Sequence, residues 1–244
     1  MTTQQPTDFK IKVEIWSDVV CPFCYIGKRK FERALNNFSF KDRVETEWKS
    51  FQLDPYAVTD PKKSSLQHLA ESKGMSADQA AQTISFITGM AKQVGLEYHL
   101  DKTPVVNTFK AHRLLHLAKK YGKQNEMEEA LFDAYFTQGK NIDDDATLLQ
   151  LASSIGLDDK ESTDVLRTNA FGDDVKNDIL RAQQLGIHGV PFFLIDQKFA
   201  VSGAQDESVF LQALNKAVDE HRKSEIIEFN GDDAGVCGPE GCAI

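Results

Sequence analysis

Cys21-Pro22-Phe23-Cys24 falls where an apolar strand pattern gives way to a helical one, and that junction restricts the chain more than any other stretch. Ile11-Lys12-Val13-Glu14-Ile15-Trp16 reads as a short buried strand, whereas Phe31, Ala34, Leu35 and Phe38 share one face of a helix. Cys21 therefore stands at a helix start, beside unpaired backbone N–H groups and the positive end of the peptide dipoles, where a thiolate is favoured. Pro22 suits the first helical turn, because its missing N–H leaves no bond unmade there. The two sulfurs then take unequal roles: Cys21 attacks a partner's sulfur, and Cys24, one turn inside, resolves the mixed disulfide.

A zinc half-site or a pair of structural cysteines is the alternative reading. Structural zinc needs a second closely spaced ligand pair. The other cysteines, Cys237 and Cys242, stand at the far C-terminus with four residues between them, so a strand–CxxC–helix context favours redox chemistry over metal. Cys237-Gly238-Pro239-Glu240-Gly241-Cys242 can turn back on itself and bring its own thiols into disulfide range, which makes it a candidate second redox pair that relays electrons to Cys21. The competing view gives this terminal pair no role beyond adventitious oxidation or metal binding.

With 244 residues, 41% of them hydrophobic, the chain can bury one large core or carry a sizeable insertion in one domain. Its net charge of −9 argues against nucleic acid, which needs a basic face. The first residues, Met1 to Asp8, lack the basic start and apolar stretch of a secretion signal, and no apolar run reaches the ~20 residues that cross a bilayer. A cytoplasmic protein without membrane contact is expected, and there a disulfide is more often catalytic than a staple.

Val44 to Phe51 alternates like a second strand, so strand, helix and strand form a βαβ unit. Beyond it the period becomes 3.6: Ala77, Ala80, Ala81, Ile84, Ile87, Ala91 and Val94 make one stripe. Three more follow, on Ala111 to Tyr121, Met127 to Tyr135 and Leu148 to Ile155, punctuated by Gly122, Gly139 and Gly156. Asp143-Asp144-Asp145 reads as a loop and helix start, since it lacks the glycine of a calcium loop. Strand patterns resume at Pro191 to Ile195 and Lys198 to Val201 around a tight Asp196-Gln197 connection, which predicts a hairpin. A last helix buries Val209, Phe210, Ala213, Leu214 and Ala217. The expected division is a discontinuous strand-bearing domain at 9–60 and 185–222, an all-helical insertion at 61–184, and a flexible acidic tail at 223–244.

This order, CxxC after the first strand, a helical insertion, then Gly189-Val190-Pro191-Phe192-Phe193, resembles the DsbA family of thioredoxin-fold oxidoreductases. Ser17 to Gly27, Asn107 to Arg113 and Val201-Ser202-Gly203-Ala204-Gln205 are similar to its cytosolic FrnE-like branch. The resemblance implies an α/β thioredoxin-like fold with a four- or five-stranded mixed sheet, the inserted domain capping the CxxC end. It also implies a cis bond before Pro191, which faces the cysteines. Residue statistics alone favour trans, because only about 5–6% of X–Pro bonds in folded proteins are cis. The cis form would turn the Val190 backbone outward to pair with an extended substrate. Val190 and Pro191 are thus expected in a substrate groove, with Pro22, Phe23 and Tyr25 around its rim.

Glu14 has two readings, a buried acceptor for the proton of Cys24 or a solvent-facing edge residue, and the second is preferred. Asn107 is expected to cap the helix carrying His112, and the resemblance places both near the interface between domains. His112 is read as a packed or surface residue before a catalytic one. The chain is accordingly read as a thiol–disulfide oxidoreductase, with isomerase activity in reach, acting on protein or small-molecule disulfides and thiols. It needs no bound organic cofactor, no metal is expected, and glutathione or a thioredoxin-type reductant is the exchange partner. A glutathione-dependent isomerase or transferase of the hydroxychromene-carboxylate isomerase or kappa glutathione transferase type is the second reading, although those relatives generally carry serine at the first cysteine. A holdase for unfolded chains is the third.

Overall fold

The structure is a computed structural model in which residues 9–223 are described. Cys237 and Cys242 lie outside the described residues. Strand β1 (Ile11–Ser17) alternates its side chains between two buried layers. Ile11, Val13 and Ile15 enter one cluster with Phe31, Phe193 and Phe210, while Trp16 packs on the other side with Ala182, Ile187 and Leu194. Helix α1 (Pro22–Asn36) follows and leads to β2 (Val44–Ser50), which pairs with β1 in parallel from Ile11 opposite Val44 to Ser17 opposite Ser50.

The sheet is completed late in the chain by β5 (Phe192–Ile195) and β6 (Phe199–Ser202), giving the order β2-β1-β5-β6 with β5 antiparallel to both neighbours. Asp196 and Gln197 adopt φ of 49° and 56°, the two successive left-handed residues that let a two-residue hairpin follow strand twist. Helix α9 (Glu207–Lys223) joins α1 on one face, where Phe210 meets Phe193 edge-on at 4.7 Å. No helix among the described residues is long and apolar enough to cross a membrane.

Between β2 and β5 the chain forms β3 (Asp60–Ser64), α2 (Ser65–Lys73), α3 (Ala77–Gln93), β4 (Pro104–Val105), α4 (Phe109–Lys120), α5 (Gln124–Phe132), α6 (Asp145–Ser154), α7 (Asp159–Arg167) and α8 (Gly172–Gln184). Three expectations change here. The insertion is not all-helical, since β3 and β4 pair as a small antiparallel ribbon. Helix α8, inside the range assigned to the insertion, lies against the sheet: Trp16 Nε1 donates to the Asp178 carbonyl at 3.0 Å, and Ala182 packs in the Trp16 cluster. Tyr121 leaves the α4 stripe and is 46% exposed just beyond the helix end.

The helical core gathers Leu114, Leu117, Met127, Leu131 and Phe132. A π-helical turn over Asp133–Thr137 continues α5 and aims the Tyr135 hydroxyl at the Pro104 carbonyl, 2.8 Å away. Arg113 of α4 donates to the Val165 carbonyl at 2.6 Å and to that of Thr168, satisfying the C-terminal end of α7. At the other end of α7, Asp158 accepts from the Glu161 N–H at 2.8 Å. Asp158→Ala should lower stability by about 1 kcal/mol in urea unfolding, the usual worth of an N-cap carboxylate.

Candidate active site

Both cysteines are free thiols at the start of α1. Cys21 is the N-cap residue, Pro22 opens the helix, and the Cys24 N–H donates to the Cys21 carbonyl at 3.0 Å. The Cys21 sulfur donates to the Val190 carbonyl at 3.6 Å, and the Val190–Pro191 peptide bond is cis. Gly27 permits this approach of helix to loop, because a Cβ there would stand 3.0 Å from Pro191 Cγ. The structure thus brings Cys21, Cys24, Val190 and Pro191 together. Pro22 and Phe23 are half-buried, Pro22 with its carbonyl accepting from the Tyr98 hydroxyl at 2.8 Å and Phe23 against the helical core.

Cys24 is fully buried, and burial, reinforced by its bond to Cys21, pushes its thiol well above the ordinary cysteine value. The Asp18 backbone and the nearby Ser17 hydroxyl act the other way. Ser17 in turn donates to Glu128 Oε1 at 2.7 Å. Glu128, carried on α5, is 1% exposed, its Oε2 has no hydrogen-bond partner among the described residues, and burial pushes its carboxyl up to about 7 against the opposing pull of Ser17, His112 and Lys28. A buried carboxyl that titrates near neutrality, one hydroxyl away from a reacting thiol, can take up and return a proton.

Glu14 is placed differently. Strand β1 lies inside the sheet, not at its edge, so Glu14 is buried rather than solvent-facing. Its side chain shares the layer of Trp16 and ends in an ion-pair group with Arg181 at 2.9 Å, Lys12 at 3.7 Å and Lys49 at 3.8 Å, none of them cysteine partners. Tyr25 is also displaced from its expected place on the rim. It is 3% exposed, stacks on Phe132 at 4.7 Å and donates to Glu129 at 2.6 Å, so it joins α1 to α5.

His112 reaches the site indirectly. Its Nε2 lies 3.4 Å from Asp18 Oδ1, while Asp18 Oδ2 accepts from the Leu53 N–H at 2.8 Å and the Asp18 carbonyl accepts from the Cys21 N–H at 2.8 Å. Asn107 Oδ1 accepts from the Phe109 N–H at 3.0 Å, one position earlier than an N-cap, and its amide donates to the Ala57 carbonyl at 3.1 Å. It ties the loop after β2 to α4 and is not at the thiols. Among the described residues no cluster of His, Cys, Asp or Glu is arranged to hold a metal.

Ser17 and Glu128 were not singled out by the sequence reading. A signal for Glu128 exists: it precedes Leu131 by three positions and Phe132 by four, and so borders the apolar face of α5.

A model of the DSBA-like thioredoxin domain matches residues 12–215, and the chain belongs to that family. It is 31% identical over 221 residues to the uncharacterized protein YwbO of Bacillus subtilis, covering 87% of this chain and 98% of that protein. The crystal structure of a probable DsbA oxidoreductase from Streptomyces coelicolor is 40% identical and superposes with a TM-score of 0.80 over 96% of this chain and 99% of that one. The cytosolic disulfide reductase DsbM of Pseudomonas aeruginosa, solved with glutathione, shares the fold at 13% identity and a TM-score of 0.58, covering 87% of this chain and 98% of that one.

Proposed function

We propose that this chain is a thiol–disulfide oxidoreductase in which Cys21 attacks a substrate disulfide and Cys24 resolves the product. The observation that carries this reading is the Cys21 sulfur at the N-cap of α1, set against the Val190 carbonyl at 3.6 Å. Backbone N–H groups of the first turn favour negative charge there. Cys24, one turn inside and fully buried, is held as the thiol until it is needed. Val190 and Pro191 present the substrate, and exchange proceeds without a bound organic cofactor, drawing on glutathione or a thioredoxin-type protein to reset the dithiol. The same dithiol supports disulfide isomerisation when Cys24 acts slowly. We further propose a cytoplasmic setting, like that named for DsbM.

Resolution needs the Cys24 proton to leave. The Ser17 hydroxyl has one proton and two lone pairs, so it can accept from Cys24 while donating to Glu128. The Cys24 electron pair then forms the bond to Cys21, the substrate sulfur departs with the pair of the broken bond, and the proton rests on Glu128.

The glutathione-dependent isomerase reading stays second because a thiol, not a hydroxyl, occupies position 21. The test is a titration of the full chain against glutathione buffers, with and without Cys237 and Cys242, followed by alkylation and mass mapping. Cys21 and Cys24 should oxidise together as one two-electron couple. Two thiols that stay reduced at every ratio would overturn the proposal.

A further inference from the structure

Beside Cys21 lies a cavity of about 560 Å³ between the sheet-bearing domain and the insertion, within the size range of small-molecule sites. Val20 and Pro22, the residues on either side of Cys21, form one wall; Ile84 and Ile87 of α3 and Leu53 of the loop after β2 form others. We propose that this cavity receives an uncharged, apolar substituent carried on the sulfur of a low-molecular-weight disulfide, and that it favours such substituents over the glutathionyl group, which reacts at Cys21 more slowly but still reacts. The inference rests on Cys21 being the attacking sulfur and adds to it the class of substrate.

Position supports it first. Val20 and Pro22, the chain neighbours of Cys21, both line this space, so a group on a sulfur joined to Cys21 meets it when that group turns away from the Val190 carbonyl, against which the Cys21 sulfur rests. The electrostatics agree. Among the described lining residues there is no lysine or arginine, and the ionisable side chains are Asp18, Asp54, His68 and the Tyr135 phenol. Asp18 is already committed to Leu53 and His112. Glutathione has two carboxylates and one ammonium group, so entering this space would bring a carboxylate to an apolar wall with two acids and, among the described lining residues, no lysine or arginine to compensate it, a costly transfer. The net charge of −9 opposes anions at longer range as well. An aryl or alkyl group instead displaces water from Ile84, Ile87 and Leu53. A peptide main chain pushed against Ile84, Ile87 and Leu53 would leave the N–H and C=O groups that face them without partners, which favours a small molecule over a polypeptide there.

The reaction balances without an external agent. The Cys21 thiolate attacks the sulfur bearing the substituent, the bond to the second sulfur breaks, and that sulfur departs with the electron pair. Cys24 then displaces the substituent thiol, so the enzyme dithiol is oxidised and the probe disulfide reduced.

The experiment uses 2-pyridyl disulfides, which release the same chromogenic thione whatever the substituent. The full chain, with Cys237→Ser and Cys242→Ser to silence the tail, is mixed with 2-phenylethyl, glutathionyl or leucine-flanked cysteinyl-peptide pyridyl disulfide. Each rate is divided by that of a simple free thiol. The phenylethyl compound should lead the glutathionyl one by at least about tenfold, the worth of burying a few methylene equivalents. Thr83→Lys, a half-buried lining position, should shrink that ratio by slowing the first and speeding the second. Ile84→Trp, which fills the space, should slow the phenylethyl compound alone. Equal normalised rates in the parent protein, an unmoved ratio in Thr83→Lys, or a peptide that outpaces the phenylethyl compound would each overturn the inference while leaving the redox reading intact. If no probe releases thione, the assignment of Cys21 as nucleophile falls instead.

Discussion

Cys21→Ser should lose thiol–disulfide exchange by on the order of 10³-fold or more, while Cys24→Ser should still react once and then stop as a trapped mixed disulfide. The asymmetry follows from where the two sulfurs sit. Both are buried, but Cys21 is the N-cap residue beside the Val190 carbonyl at 3% exposure, whereas Cys24 lies one turn inside with none and its thiol is raised by that burial. Among the described residues, a serine at 21 removes the sulfur that stands at the helix start. A serine at 24 keeps the attack and removes the escape, so the adduct persists. Intact-mass measurement after mixing with an excess of a small disulfide reads both results, one added substituent on Cys24→Ser and none on Cys21→Ser, in proteins lacking Cys237 and Cys242. A Cys21→Ser protein that still turns over, or a Cys24→Ser protein that accumulates no adduct, would reverse or remove the assignment of roles.

Much of this arrangement is legible in the sequence because it depends on local pattern. The change of period at Cys21 places the thiols, and the stripes along α3 to α6 follow apolar residues three and four apart. The Asp196-Gln197 hairpin shows through the two apolar runs around it, despite a glutamine at φ 56°. Features set by long-range packing are less visible. Asp60–Ser64 contains Pro61, Lys62 and Lys63 with no alternation, so nothing marks it as β3 until β4 arrives beside it. Helix α8 looks like one more helix of the insertion, and only the contact of Trp16 with Asp178 and Ala182 reveals that it covers the sheet. Glu14 and Glu128 show the limit most plainly. One is a carboxylate on a central strand that needs Arg181 from far along the chain, the other a helical carboxylate whose partner Ser17 is 111 positions away. A strand acid near the cysteines in sequence attracts attention, yet the acid near them in space comes from the insertion.

Glu128→Gln should therefore raise stability near pH 8 and slow resolution, two effects of opposite apparent benefit from one change. Glu128 is packed against Ser17 of β1, Asp18 of the following loop, Lys28 of α1 and His112 of α4, and burial raises its carboxyl to about 7. A carboxyl raised in the folded state holds its proton there while the unfolded chain has released it, so its contribution is complete below about pH 4.5 and is lost as the pH rises through 7. The loss at pH 8 is of order 3 kcal/mol as an upper bound. Glu129, lowered to about 2 by Arg29 and Lys28, and Asp178, lowered by His116, Ser50 and Lys49, act in the opposite sense but only in acid, so between pH 5 and 8 the part owed to Glu128 is the difference between the parent and Glu128→Gln. Urea unfolding across that range should show parent stability falling with pH and a flatter line for Glu128→Gln. Resolution responds in reverse, since Ser17 can pass a proton only to an ionised Glu128. With 2,2′-dipyridyl disulfide and the tail cysteines replaced, one thione marks attack by Cys21 and a second, independent of reagent concentration, marks closure by Cys24. The second phase of the parent should quicken as pH passes 7, and in Glu128→Gln it should slow by roughly a hundredfold and lose that inflection, with the first phase unchanged. A merely structural lesion would lower stability and rate together. A second phase that keeps both its speed and its inflection would remove Glu128 from the proton path and leave Cys24 to release its proton by another route.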